Sequence, residues 1–203
     1  ECVIAIWAAL KAGGIFLVIN PTTKGKKLEY ILNDCQTSAL ITQRSRWKSA
    51  AGAVAGTPSV KCTVLAGKKV PSGEDLPCEI IPWDQALSSP AVRPDIRTID
   101  IDLASLVYTS GTTGNPKGVM MTHRNMISAS TSITTYLENV REDIILNALP
   151  LSFDYGLYQV IMAAQFGGKI VLEKSFTSPY AVINRLKEEE VTGFPIVPTM
   201  LTI

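Results

Sequence analysis

The sequence predicts an α/β fold in which mostly parallel sheet layers are flanked by helices. Helix-like and strand-like segments alternate along most of the 203 residues. Several of the strand-like segments are continuous apolar runs, which are typical of strands covered on both faces. A hydrophobic content of 46% is ample for a core of this kind.

The first half alternates regularly. Val3, Ile4, Trp7 and Leu10 recur at helical spacing, and the two glycines that follow at 13 and 14 end this predicted helix. The order then continues with a strand at 15–20, a helix from about 24, a strand at 38–42, a helix at 44–56 and a strand at 59–67. Prolines, glycines and charges over 68–98 predict a connecting segment with one short strand near 78–82. We expect a first subdomain, with its connecting segment, over residues 1–98.

Residues 99–203 are predicted to begin a second subdomain. A buried strand at 102–110 leads into a polar loop, and a second strand at 117–123 is expected to pair with it. Thr122 can cap a helix that runs to about Val140, since its hydroxyl can accept a hydrogen bond from the first turn. Alternation then resumes, with strands at 143–151 and 169–173 and helices at 154–168 and 178–190.

Composition argues against several classes of function. Nineteen Lys and Arg balance eighteen Asp and Glu, so no net field attracts nucleic acid or an anionic membrane. The apolar run at 2–19 contains Lys11 and two glycines, and therefore favours a helix and a strand over a membrane span. Four widely spaced cysteines and one histidine predict no metal site within the chain and a reducing, cytoplasmic setting.

The segment YTSGTTGNPKG, at 108–118, has the composition of a phosphate-binding loop. Glycines let the backbone approach an anion closely, and hydroxyl groups add hydrogen-bond donors. Lys117 supplies a positive charge, and Pro116 stiffens the turn before it. Neither the Walker spacing nor the G-x-G-x-x-G fingerprint is present. A flexible linker is the alternative, although a linker needs neither the lysine nor flanking buried strands.

This segment resembles the signature loop of the adenylate-forming superfamily, which includes acyl-CoA synthetases, peptide synthetase adenylation domains and luciferases. Residues 10–21, LKAGGIFLVINP, and 150–156, PLSFDYG, are similar to two other segments of the family, in the same order. The resemblance implies that the chain is the incomplete large N-terminal domain of such an enzyme. Because other family motifs are absent, we expect the 203 residues to fold but not to catalyse the reaction alone.

The resemblance also implies a two-step, AMP-forming ligase that uses ATP and magnesium. A carboxylic acid would form an acyl-adenylate, and a thiol of coenzyme A or of a carrier protein would then accept the acyl group. Lys117 and Thr109 would be catalytic, and the magnesium-binding glutamate is expected outside this chain. The residues expected to bind the nucleotide phosphates are Thr109, Ser110, Gly111, Thr112, Thr113, Gly114 and Lys117.

Phe153 and Asp154 are expected to line the substrate pocket, and these two residues do not identify which carboxylic acid binds there. The resemblance favours an acyl-CoA synthetase. The pair is also similar to the FD-x-S pattern of amino-acid adenylation domains, whose aspartate holds the substrate ammonium, although Gly156 stands where that pattern has serine. An aspartate at this place can instead cap a helix. A third alternative is a non-catalytic, nucleotide-binding module with the same fold.

Overall fold

The computed structural model of the protein describes residues 1–67, 77–92, 94–109 and 115–201. Two compact units share the chain. The first contains Glu1–Gly14, Pro21–Arg97 and Tyr108–Gly118, and the second contains Ile15–Asn20, Thr98–Val107 and Val119–Ile203. The sequence-based division after residue 98 stays a prediction.

Within the described ranges, helices and strands alternate as the sequence predicts. The helices are α1 (Cys2–Lys11), α2 (Gly25–Asp34), α3 (Arg44–Ala55), α4 (Trp83–Leu87), α5 (His123–Tyr136), α6 (Asp154–Phe166) and α7 (Pro179–Glu188), with a 3₁₀ turn at Pro198–Met200. The strands are β1 (Ala39–Gln43), β2 (Cys62–Ala66), β3 (Glu79–Pro82), β4 (Leu103–Thr109), β5 (Lys117–Thr122), β6 (Ile144–Asn147) and β7 (Lys169–Leu172).

Both units contain parallel sheet, which confirms the predicted α/β class. In the first unit, the strand order is β1-β2-β3, and Val64 of β2 pairs with Ile41 on one side and Ile81 on the other. In the second unit, β6 and β7 are parallel, with Leu146 opposite Val171. Helix α3 connects β1 to β2 and α6 connects β6 to β7, as the crossover between parallel neighbours requires.

The core of the first unit lies between α2, α3 and the sheet. Its buried apolar side chains include Leu28, Ile31, Leu32, Trp47, Ala50, Ala53, Val54 and Leu65. Asn33, near the end of α2, donates from Nδ2 to the Gly56 carbonyl at 3.0 Å and to Thr57 Oγ1 at 3.1 Å. These contacts tie the C-terminal end of α2 to the end of α3.

The second unit has its own core around β6 and α7. Leu146, Ala148 and Val182 are buried at its centre, and partly buried side chains from Val171 to Met200 pack around them. Phe176 and Phe194 contribute a tilted ring pair with centroids 6.1 Å apart.

In the segment 15–20, where the sequence predicts a strand, one residue is paired. The predicted extent of this strand is therefore wrong. The Phe16 amide donates to the Ala104 carbonyl at 3.0 Å, and the Leu106 amide donates to the Phe16 carbonyl at 3.0 Å. A continuous apolar run reports burial and not hydrogen bonding, so periodicity does not reveal how short the pairing is.

The predicted cap of α5 is confirmed. Thr122 Oγ1 accepts from the Asn125 amide at 3.1 Å, and Asn125 Oδ1 accepts from the Thr122 amide at 3.0 Å, which completes a capping box. The helix ends at Tyr136, earlier than predicted, because Glu138 takes a left-handed conformation with φ 55°.

Asp143, just before β6, is held by three hydrogen bonds that favour its charged form. Asn139 Nδ2 and the Val140 amide donate to Oδ2 at 3.0 Å each, and Thr192 Oγ1 donates to Oδ1 at 2.8 Å. These donors, Asn139 foremost, hold the pKa of Asp143 below its ordinary value. The stabilisation is therefore complete above the unfolded pKa of about 4 and is lost as the pH falls through the lower folded pKa.

We expect Asp143→Ala to lower the free energy of unfolding at pH 7 by about 1 kcal/mol, since three partly exposed donors lose their charged acceptor. The difference between variant and wild type should narrow as the pH falls below about 4, because the wild-type carboxylate is then protonated. Urea unfolding of both proteins at several pH values measures this. A difference that stays constant down to pH 2 would contradict the assignment.

Candidate active site

Thr109 and Lys117 stand at the two strand ends that flank the glycine-rich segment. Thr109 is the last residue of β4 and Lys117 the first of β5, and the two strands are hydrogen-bonded neighbours. This confirms the predicted strand pair, and both residues are exposed. The other residues predicted to bind phosphate, which are Ser110, Gly111, Thr112, Thr113 and Gly114, lie outside the described residues.

The Lys117 ammonium group is available to an anionic ligand. Its side chain is exposed, while Pro116 immediately before it is buried and so anchors the start of β5. In the part of the chain that the structure describes, no carboxylate forms an ion pair with Lys117. An exposed, uncompensated ammonium beside a hydroxyl-rich segment suits a phosphate group.

Tyr108, the residue before Thr109, is held by a contact that sequence reasoning missed. Its hydroxyl donates to Asp34 Oδ2 at 2.5 Å, across 74 positions of sequence. Burial, followed by this hydrogen bond, raises the pKa of the Tyr108 phenol well above its ordinary value, so the hydroxyl keeps its proton at neutral pH. No local pattern in the sequence indicates such a long-range pair.

Phe153 and Asp154 lie at a small cleft in the second unit. The cleft is lined by Val18, Ser105, Leu106, Val107, Leu151, Ser152, Phe153, Asp154 and Leu157. Its walls are mostly apolar, with the Asp154 carboxylate as its charged group. Phe153 and Asp154 therefore line one concave surface, and their role in a substrate pocket stays a prediction.

Asp154 is not the N-cap of α6, which is Phe153. It occupies the first turn, where the helix dipole favours a negative charge, and its Oδ1 accepts from the Tyr155 amide at 2.8 Å. The carboxylate is exposed and has no ion-pair partner among the described residues. In this geometry, the carboxylate can stabilise the first turn of α6 or bind a cation.

The turn that carries Asp154 depends on close backbone packing at Gly156. A Cβ at this position would lie 2.4 Å from the Pro150 carbonyl oxygen and 2.9 Å from that of Leu149. Buried Asn147 fixes the turn, since its Nδ2 donates to the Gly156 carbonyl at 3.1 Å and its Oδ1 accepts from the Leu149 amide at 3.0 Å. The glycine that departs from the FD-x-S pattern is therefore required by this backbone.

Two further features, a cluster of metal ligands and a membrane-spanning helix, are absent from the described ranges. No cluster of three or more His, Cys, Asp or Glu side chains in residues 1–67, 77–92, 94–109 and 115–201 could hold a metal ion. In those same ranges, none of the helices has the length and apolar character needed to span a bilayer.

A match to a protein-family model decides which family this chain belongs to. The model of the AMP-binding enzyme family matches residues 1–203, which is the whole chain. This chain belongs to the AMP-binding enzyme family. Among its relatives, phosphinothricin tripeptide synthetase PhsC of Streptomyces viridochromogenes is 29% identical over 208 residues, an alignment covering 100% of this chain and 17% of PhsC.

Solved structures of adenylate-forming enzymes share the fold of this AMP-binding chain. A putative long-chain-fatty-acid CoA ligase from Rhodopseudomonas palustris matches with a TM-score of 0.87 and 22% identity, over 99% of this chain and 48% of the ligase. O-succinylbenzoate coenzyme A synthetase from Bacillus subtilis, in complex with ATP and magnesium, matches with a TM-score of 0.76 and 25% identity, over 99% and 38%. The chain thus spans less than half the length of each of these relatives.

Proposed function

We propose that the full-length protein with this chain is an AMP-forming ligase that joins a carboxylic acid to a thiol. A substrate carboxylate oxygen attacks the α-phosphorus of ATP, the bond to the bridging oxygen breaks, and pyrophosphate leaves. A thiol of coenzyme A or of a carrier protein then displaces AMP from the acyl-adenylate. Membership of the AMP-binding family and the ATP-bound B. subtilis relative support this proposal.

One observation carries the proposal: exposed Thr109 and Lys117 end and begin two paired strands around a segment of glycines and hydroxyl residues. Negative charge builds on the departing phosphates during the first step, and donors held in place beside them lower the barrier. The Thr109 hydroxyl and the Lys117 ammonium are such donors. Magnesium, when bound, would neutralise further phosphate charge, and its glutamate ligand is expected outside this chain.

The proposal includes a cytoplasmic location, and the state of the four cysteines is consistent with it. Cys2, Cys35, Cys62 and Cys78 are all free thiols. Burial raises the pKa of the Cys62 thiol above its ordinary value, which favours the protonated form. Free thiols are usual where the compartment is reducing.

Exchange of labelled pyrophosphate into ATP by the full-length protein tests the proposal. Fatty, aryl and amino acids are offered one at a time, and we expect one class to stimulate exchange. Coenzyme A and a phosphopantetheinylated carrier protein are then compared as acceptors of the acyl group. If no acid stimulates exchange while ATP still binds, the protein is a nucleotide-binding module and the ligase proposal is wrong.

The favoured acid is the fatty or aryl substrate of an acyl-CoA synthetase, in keeping with the mostly apolar cleft. An amino acid is the second candidate, because the Asp154 carboxylate at that cleft has no cationic partner in the described ranges. The relationship to a tripeptide synthetase supports this candidate as well.

Asp154→Asn separates these two candidates. If an amino acid is the substrate, we expect its KM to rise roughly 10- to 100-fold, since a charge-assisted contact to the substrate ammonium is lost. Exchange kinetics with the stimulating acid measure this, and the KM for ATP serves as the internal control. An unchanged KM for an amino acid would restrict Asp154 to a role in α6.

A further inference from the structure

Tyr108 is next to one exposed strand end of the proposed phosphate site and contacts the residue next to the other. It precedes Thr109 directly, and its ring lies against Gly118, which directly follows Lys117. A Cβ at position 118 would lie 3.1 Å from Tyr108 Cζ and 3.2 Å from Cε2, so a glycine permits this approach. A displacement of the Tyr108 ring would therefore shift the backbone at Thr109 and at Lys117.

The Tyr108 hydroxyl donates to Asp34, an exposed residue at the end of a helix that is hydrogen-bonded to its neighbour. The 2.5 Å separation from Asp34 Oδ2 is typical of a charge-assisted hydrogen bond between a hydroxyl and a carboxylate. Asp34 is the last residue of α2, whose end is held to α3 by Asn33, and Leu32 beside it is only 1% exposed. A support of this kind can hold a neighbouring group within narrow limits.

Local helix energetics do not account for a carboxylate at position 34. A negative charge in the last turn opposes the helix dipole and so destabilises α2 slightly. Asp34 also forms no ion pair with any residue in the described ranges. Among the described residues, Tyr108 is the hydrogen-bond partner of this carboxylate.

We propose that Asp34 and Tyr108 are positioning residues for ATP binding: Asp34 fixes the Tyr108 ring, which in turn fixes the backbone that presents Thr109 and Lys117 to the phosphates. The inference rests on the proposed function. Neither side chain is assigned a contact with the nucleotide. Loss of the hydrogen bond should therefore weaken ATP binding without changing the pocket for the acid.

Pyrophosphate exchange by the full-length protein, with its stimulating acid, provides the test. Tyr108→Phe removes only the hydroxyl, Asp34→Ala removes the acceptor, and Asp34→Asn retains an oxygen that can accept. We expect Tyr108→Phe and Asp34→Ala each to raise the KM for ATP roughly three- to tenfold, with the KM for the acid unchanged. The double variant should be no worse than the more affected single variant, and Asp34→Asn should lie within about twofold of wild type.

A merely structural role predicts a different result, since loss of folded enzyme lowers kcat and leaves both KM values unchanged. An unchanged KM for ATP in both single variants, or additive effects in the double variant, would overturn the inference. Lys117→Ala is assayed in parallel. If wild type shows no exchange, the proposed function has failed. If Lys117→Ala impairs exchange while the Tyr108 and Asp34 variants do not, only the positioning pair has failed.

Discussion

Lys117→Ala is expected to lower kcat/KM for ATP in pyrophosphate exchange roughly 10- to 100-fold. The exposed ammonium has no carboxylate partner in the described ranges, so its charge is free to act on a bound phosphate. Losing one charge-assisted contact that persists into the transition state corresponds to about 1.5 to 3 kcal/mol. Steady-state exchange by the full-length protein, with ATP varied at saturating acid, measures the change.

Lys26→Ala is the matched control for this variant, because Lys26 is also an exposed lysine of the first unit. It removes the same charge from the surface of α2, where no phosphate contact is proposed. We expect its kinetics to equal those of wild type. Equal turnover by Lys117→Ala and wild type would remove Lys117 from the proposed phosphate site and would leave the ligase proposal without its central residue.

Gly156→Ala is expected to destabilise the second unit by roughly 1 to 3 kcal/mol, the usual effect of forcing an extra methyl group into close packing. The Cβ would lie 2.4 Å from the Pro150 carbonyl oxygen, and backbone cannot rotate away as a side chain can. Gly156→Ser, which restores the FD-x-S pattern, should destabilise at least as much. Urea unfolding of the full-length variants, followed by fluorescence, measures both.

Gly52→Ala provides a control with the opposite expected sign. Gly52 lies inside α3, and a Cβ there would meet no atom within 4 Å. Replacing glycine by alanine in such a helix position stabilises by about 0.5 to 1 kcal/mol, because alanine has the better helix propensity. If Gly156→Ala were as well tolerated as Gly52→Ala, the close packing of Pro150 against α6 would be wrong.

The parallel α/β class and most elements could be predicted from the sequence because each depends on local pattern. The capping box of Thr122 and Asn125 spans four residues, and the apolar periodicity of α2 and α3 lies within single helices. The single bridge at Phe16 could not be predicted, since its partners lie almost ninety residues away, at Ala104 and Leu106. A hydrogen bond between distant segments produces no periodic pattern of residue types in either segment.

By itself, the sequence determined the fold class, the family resemblance, the strand pair around the glycine-rich segment, and the candidate residues Thr109, Lys117, Phe153 and Asp154. Tertiary structure alone decided that Asp34 accepts from Tyr108, and that Gly156 has no room for a side chain. The physical reason is the sequence separation between the interacting residues. Composition and spacing encode interactions between near neighbours, whereas a hydrogen bond across 74 positions, or the approach of a carbonyl to a helix, exists only after the chain has folded.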